Sequence, residues 1–114
     1  MARRVVIKDT DKSKNILVEV GGELTLDEME EVLTNAGDDL DLDISHITTL
    51  SRKKYPGNRH WHFKEASKSK GCLDVTFWPK GSILWITIRN YEPDWVHKSG
   101  HDLAVLLKKK MESV

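Results

Sequence analysis

The chain of 114 residues holds a single cysteine, Cys72. One cysteine cannot close an internal disulfide, so the core has to hold the fold, and a free thiol fits a reducing compartment. Long apolar runs are missing as well. Val5-Val6-Ile7 and the stretch 83–88 fall far short of the ~18 residues that a membrane span needs, so no membrane partner is expected. The start Met1-Ala2-Arg3-Arg4 is basic, but too few apolar residues follow before Lys8 for a signal peptide. The expected location is therefore cytoplasmic. Phosphate-binding glycine loops, HExxH pairs, nucleophile elbows and dinucleotide fingerprints are all absent. No catalytic residue and no cofactor is assigned, and the balance leans away from an enzyme without excluding one.

Net charge is absent too, but only in the sum. Residues 1–50 carry five basic and twelve acidic side chains; residues 51–114 carry thirteen basic and six acidic. Such asymmetry points to a partner for the basic half, unless the two halves neutralise each other on folding. The length suits one hydrophobic core and not two, so residues 1–114 are expected to form a single domain.

The β-branched run 3–8 predicts a strand, 9–15 a polar turn, and Ile16 to Val20 a second strand that makes a hairpin. Thr25-Leu26-Asp27-Glu28 has the form of a capping box, with Leu24 and Met29 placed for a hydrophobic staple. Leu26, Met29, Val32, Leu33 and Ala36 share one face of the helix that follows, and Gly37 stands where a left-handed terminator is wanted. Residues 38–55 are ambiguous: Leu40, Leu42 and Ile44 alternate as in a strand, while Leu40, Ile44 and Ile47 also fit a helix. Three strands come next, over 59–65, 72–78 and 83–90, with short connections that predict an antiparallel meander. A second helix begins near Pro93 and Asp94, with Trp95, Val96, Ser99, Leu103, Leu106 and Leu107 on its buried stripe. The order β-β-α-(β?)-β-β-β-α predicts an α+β two-layer sandwich with both helices on one face of an antiparallel sheet.

Strand alternation then sorts the meander. Trp61, Phe63, Leu73, Val75, Phe77, Leu84, Ile86 and Ile88 form the helix-covered side. His60, His62, Thr76, Trp78, Trp85, Thr87 and Arg89 share the outer side. Flat π faces with cations nearby are what a base-stacking platform uses. The flanking segment adds Arg52, Lys53, Lys54, Arg59, Lys64, Lys68 and Lys70, interleaved with Tyr55 and opposed only by Glu65. The candidate nucleic-acid-binding residues are these seven with His60, His62, Trp78, Trp85 and Arg89. The expected function is a non-catalytic module for RNA or DNA. The alternative is a small protein-interaction or inhibitory module, or a homodimer, that uses the same aromatic face. A third arrangement would have the N-terminal segment cover the tryptophans as a second small core.

Two histidine pairs, His60-x-His62 on a strand and His97-x-x-x-His101 on a helix, are each half of a zinc site. They fall on different layers and are not expected to converge, so both read as solvated and no metal is assigned. Asp39-x-Asp41-x-Asp43 lacks the glycine and glutamate of a calcium loop, with Ile44 and Leu50 in those positions. Cys72 has no cysteine-enzyme signature around it.

From residue ~25 to ~112 the order α-β-β-β-α resembles the double-stranded-RNA-binding domain. That family binds through a histidine in its first β–β loop and lysines opening its last helix. Here the loop Ala66 to Gly71 has lysines but no histidine, and the last helix opens with Asp94, Trp95 and His97. The likeness is one of order, and no RNA-binding residue carries over.

Overall fold

Thr25 caps the first helix as its spacing predicts: its hydroxyl accepts from the Glu28 amide at 3.0 Å, and the Glu28 carboxylate accepts from the Thr25 amide at 2.9 Å. In this computed structural model, which describes residues 4–10, 15–68 and 70–113, that helix is α1, Leu26–Asp39. Before it come β1, Val5–Thr10, and β2, Asn15–Val20. After it come β3, Leu42–Thr48, β4, Arg59–Glu65, β5, Leu73–Trp78, and β6, Ile83–Thr87. The second helix, α2, spans Asp94–Glu112. The start of the first strand at Arg3, the hairpin turn at 11–14 and Ser69 of the polar loop lie outside the described residues.

All six strands form one antiparallel sheet in the order β1-β2-β6-β5-β4-β3. Both helices lie on one face, α1 against β3 and α2 against β1, β2, β5 and β6. The α+β two-layer sandwich is thus the architecture. Trp61, Phe63, Leu73, Val75, Phe77, Leu84 and Ile86 meet Met29, Leu33, Val96, Leu103 and Leu107 between the layers, all essentially removed from water. The described residues of the hairpin, β1 and β2, extend the sheet as its edge.

The ambiguous segment resolves into β3. Leu42 and Ile44 pair with Glu65 and Phe63 on the helix side, and an irregularity at Ser45 then brings His46 opposite His62. Four strands, not three, therefore separate the helices, so the chain departs from the double-stranded-RNA-binding order. Gly37 does not end α1. It is buried in the helix where a Cβ would lie 2.9 Å from the Leu42 carbonyl oxygen and 3.0 Å from the Phe63 ring. The left-handed turn falls instead to Asp41, at φ 57°, a conformation that aspartate tolerates better than most residues.

Helix α2 is rotated relative to the expected stripe. Val96, Gly100, Leu103, Ala104, Leu107 and Met111 face the sheet, and Trp95 is only half-buried. Gly100 is there because α2 lies close to the sheet: a Cβ would run into Ile88 Cδ1 and come within 3.3 Å of Leu73 Cδ1. Among the described residues no helix is long and apolar enough to cross a membrane.

Candidate functional site

The antiparallel register arranges the outer face in rows. One row runs Leu17, Trp85, Thr76, His60, Thr48; the next runs Asn15, Thr87, Asp74, His62, His46. Paired residues of an antiparallel ladder point to the same side, so aromatic and polar groups from five strands meet there.

The first row ends under a loop. Residues 49–58, between β3 and β4, fold back over the tryptophans. Asn58, almost fully buried, holds that loop closed: its Oδ1 accepts from the Leu50 amide at 2.9 Å, and its Nδ2 donates to the Leu50 and Tyr55 carbonyls at 3.3 and 2.7 Å. The Trp78 indole N–H donates to the Pro56 carbonyl at 3.1 Å. Tyr55 therefore sits over both tryptophans, its ring centre 5.4 Å from that of Trp78 and 5.0 Å from that of Trp85. Leu17, Leu50, Ile83 and these three rings line a cavity of about 370 Å³. Ile83 also borders a larger depression of about 660 Å³, lined by Val6, Lys8 and Glu19. The platform of open tryptophans expected from the sequence is thus a partly roofed aromatic pocket.

The second row is centred on Asp74, a carboxylate only 2% exposed. Arg89 Nη2 donates to its Oδ2 at 2.6 Å, and the Cys72 thiol donates to its Oδ1 at 3.1 Å. His62 Nδ1 lies 3.8 Å from Oδ1 and 3.4 Å from Cys72 Sγ; His60 Nε2 lies 3.8 Å from Oδ2. His60 is buried, with Nδ1 held 2.6 Å from the Thr76 hydroxyl. The rings of His46, His62 and His60 follow one another edge to face, at 5.5 and 4.9 Å. The solvated pair expected at His60 and His62 is therefore a half-buried network: the ladder sets His60 beside Thr76 and His62 beside Asp74.

Burial sets the protonation of this row. Desolvation pushes His60 below the ordinary imidazole value, against the pull of Asp74, so the ring is neutral at neutral pH. Desolvation, together with the hydrogen bond to Asp74, pushes the Cys72 thiol up to about 12. Cys72 is therefore a protonated donor and not a thiolate nucleophile. The hydrogen bond to Asp74 holds Arg89 further above its already high value.

No protein family, curated protein or solved structure matches the chain. The site has to be read from its own chemistry.

The structure groups some of the expected binding residues and separates others. Arg52, Lys53 and Lys54 are exposed on the loop that carries Tyr55. Lys64, Lys68 and Lys70 are exposed on and beyond the other end of β4. Among the described residues none of these six makes an ion pair. Arg59 lies on the helix side, 3.0 Å from Asp27 and 3.3 Å from Glu30 of α1, beside the Trp61 indole that also donates to Glu30. Arg89 is on the outer face with its charge engaged by Asp74. In the sequence Tyr55 appears only as an aromatic interleaved with the basic segment, and Asn58, Cys72 and Asp74 belong to neither cluster. The spacing His-x-His in β4 and Asp-x-Thr in β5 was a signal, but it becomes a cluster only when the register is known.

Proposed function

We propose that the chain is a non-catalytic module that binds single-stranded nucleic acid on its outer sheet face. The observation that carries this reading is the pocket of Trp78 and Trp85 under Tyr55, whose loop also bears the three exposed cations Arg52, Lys53 and Lys54. A base entering the pocket meets indole and phenol faces, a contact that contributes about 1–3 kcal/mol per base. The phosphates on either side then lie against the basic loop, whose cations bind without reading sequence. Thr87, half-buried in the neighbouring row, offers a hydrogen bond to a base edge.

The alternative of a protein-interaction or inhibitory module, or a homodimer, would need Trp78 and Trp85 as anchors. Half-buried beneath Tyr55, they offer a cleft for a ring more readily than a flat area for a protein. The test follows tryptophan emission while oligo-dT and oligo-U are added to the full chain at low salt. Saturable quenching, lost in Trp78→Phe/Trp85→Phe and weakened at least about tenfold in Tyr55→Ala, supports the reading. No quenching, together with a stable dimer by sedimentation, would favour the protein-interaction alternative.

A further inference from the structure

The three electron-pair donors around Asp74 are arranged for something that the nucleic-acid reading does not use. Ligand atoms of His60, His62 and Asp74 all lie within 4.8 Å of one another. Each imidazole nitrogen is 3.8 Å from an Asp74 oxygen. That is too long for a hydrogen bond; His62 Nδ1 instead touches Cys72 Sγ at 3.4 Å, a weak contact that a bound ion would replace. In a tetrahedral zinc site with bonds near 2.0–2.1 Å, ligand atoms stand roughly 3.3 Å apart, so the 3.8 Å edges would contract by about half an ångström and the longest edge by up to about 1.5 Å, within reach of side-chain rotation.

We propose that His60, His62 and Asp74 form a binding site for a divalent transition-metal ion of the zinc type. Two imidazoles and one carboxylate suit Zn²⁺ over Mg²⁺ or Ca²⁺, which prefer all-oxygen sets. The supporting contacts are those of a built site. His60 Nδ1 is engaged by the Thr76 hydroxyl at 2.6 Å, which fixes the ring and turns Nε2 toward Asp74. A metal-binding histidine commonly has its second nitrogen held in this way. Asp74 is oriented by Arg89 on one oxygen and Cys72 on the other, and a carboxylate retains lone pairs beyond those two. His62, with a third of its side chain exposed, lies on the open side of the cluster, where an ion can enter. This site stands apart from the nucleic-acid reading, since it involves neither Tyr55 nor the basic loop.

The test adds ZnCl₂ to the full chain after chelator treatment, followed by calorimetry and by ring signals of ¹⁵N-labelled histidine. The expected result is uptake of one equivalent at micromolar zinc, with the ring nitrogens of His60 and His62 shifting while those of His97 and His101 stay in place. His62→Ala, changed on the exposed side of the cluster, should lower the affinity at least about tenfold. His97→Ala/His101→Ala should leave it unchanged. The proposal is overturned if the wild-type chain takes up no zinc, or if binding survives His62→Ala and disappears with the helical pair. The histidine signals of the wild-type chain decide the matter even if a variant folds poorly.

Discussion

The Asn58 carboxamide bonds to both backbone groups of Leu50, eight residues earlier, and so ties the two ends of the 49–58 loop together. The loop so closed carries Tyr55, whose amide donates to the Ser51 carbonyl at 2.9 Å, and Pro56, which accepts from the Trp78 indole. Asn58→Ala would leave the Leu50 amide without its partner in a part-buried position, at a cost of about 1–3 kcal/mol. It should also release Tyr55. Chemical denaturation measures the first effect; a change in Trp78 and Trp85 emission reports the second. Asn58→Asp keeps the acceptor for Leu50 but buries a charge against the Leu50 and Tyr55 carbonyl oxygens, so it should destabilise at least as much as Asn58→Ala.

Asp74 and Arg89 are the electrostatic centre of the outer face. Removing the cation leaves a buried carboxylate that only Cys72 and the histidines can compensate. Loss of one partner of a fully buried pair costs about 3–5 kcal/mol. Arg89 is partly exposed, and water can replace part of its role, so Arg89→Met should destabilise by roughly 2 kcal/mol. A urea titration at pH 7 checks the loss.

Two groups give the chain a stability that falls on both sides of neutrality, measured with EDTA present. His60 has its value lowered in the folded state, so below pH 6.5 the unfolded chain binds the proton first. Stability contributed by neutral His60 is therefore lost as pH falls below 6.5. Cys72 is raised from 9.0 to about 12, so above pH 9 the unfolded chain loses its proton first. That part of the stability declines as pH rises from 9 toward 12. Cys72→Ser, which keeps a donor to Asp74 and does not ionise, should flatten the alkaline limb relative to the wild type. Thermal melts across both ranges give the comparison.

Gly100→Ala sets helix propensity against packing. Alanine favours the helix by about 1 kcal/mol, but the new methyl overlaps Ile88 Cδ1, and overpacking costs about 1–3 kcal/mol. The single variant should be less stable than the wild type. Adding Ile88→Val removes the overlapping carbon, and the double variant should recover at least part of the loss. A double-mutant cycle by denaturation reads the coupling.

Much of this fold was legible because local signals and global packing agree. The capping box at Thr25, the alternation of Trp61 and Phe63 against His60 and His62, and the turn at Pro79 each act within a few residues. What escaped depends on contacts between distant parts of the chain. Gly37 reads as a helix terminator until Phe63 and the Leu42 carbonyl are seen against it. Gly100 reads as a defect in α2 until Ile88 is placed beneath it. Tyr55 and Asn58 read as turn residues, since nothing local says that their loop folds back across Trp78 and Trp85. Asp74 reads as an ordinary outward aspartate, because only the β4–β5 register sets it beside His62. The outer face was legible as a location, while its roof and its buried carboxylate were not.

Binding of single-stranded nucleic acid by Tyr55, Trp78 and Trp85 with the adjacent basic loop has to depend on salt. Fluorescence anisotropy of a labelled oligo-U or oligo-dT should show binding at low salt. With three loop cations contacting phosphate, the logarithm of the affinity should fall with the logarithm of salt at a slope of about −2. Reversal of the loop charges in Arg52→Glu/Lys53→Glu/Lys54→Glu should abolish the binding while the melting temperature stays close to that of the wild type. An unchanged anisotropy at the lowest salt, with the chain folded, would contradict the account.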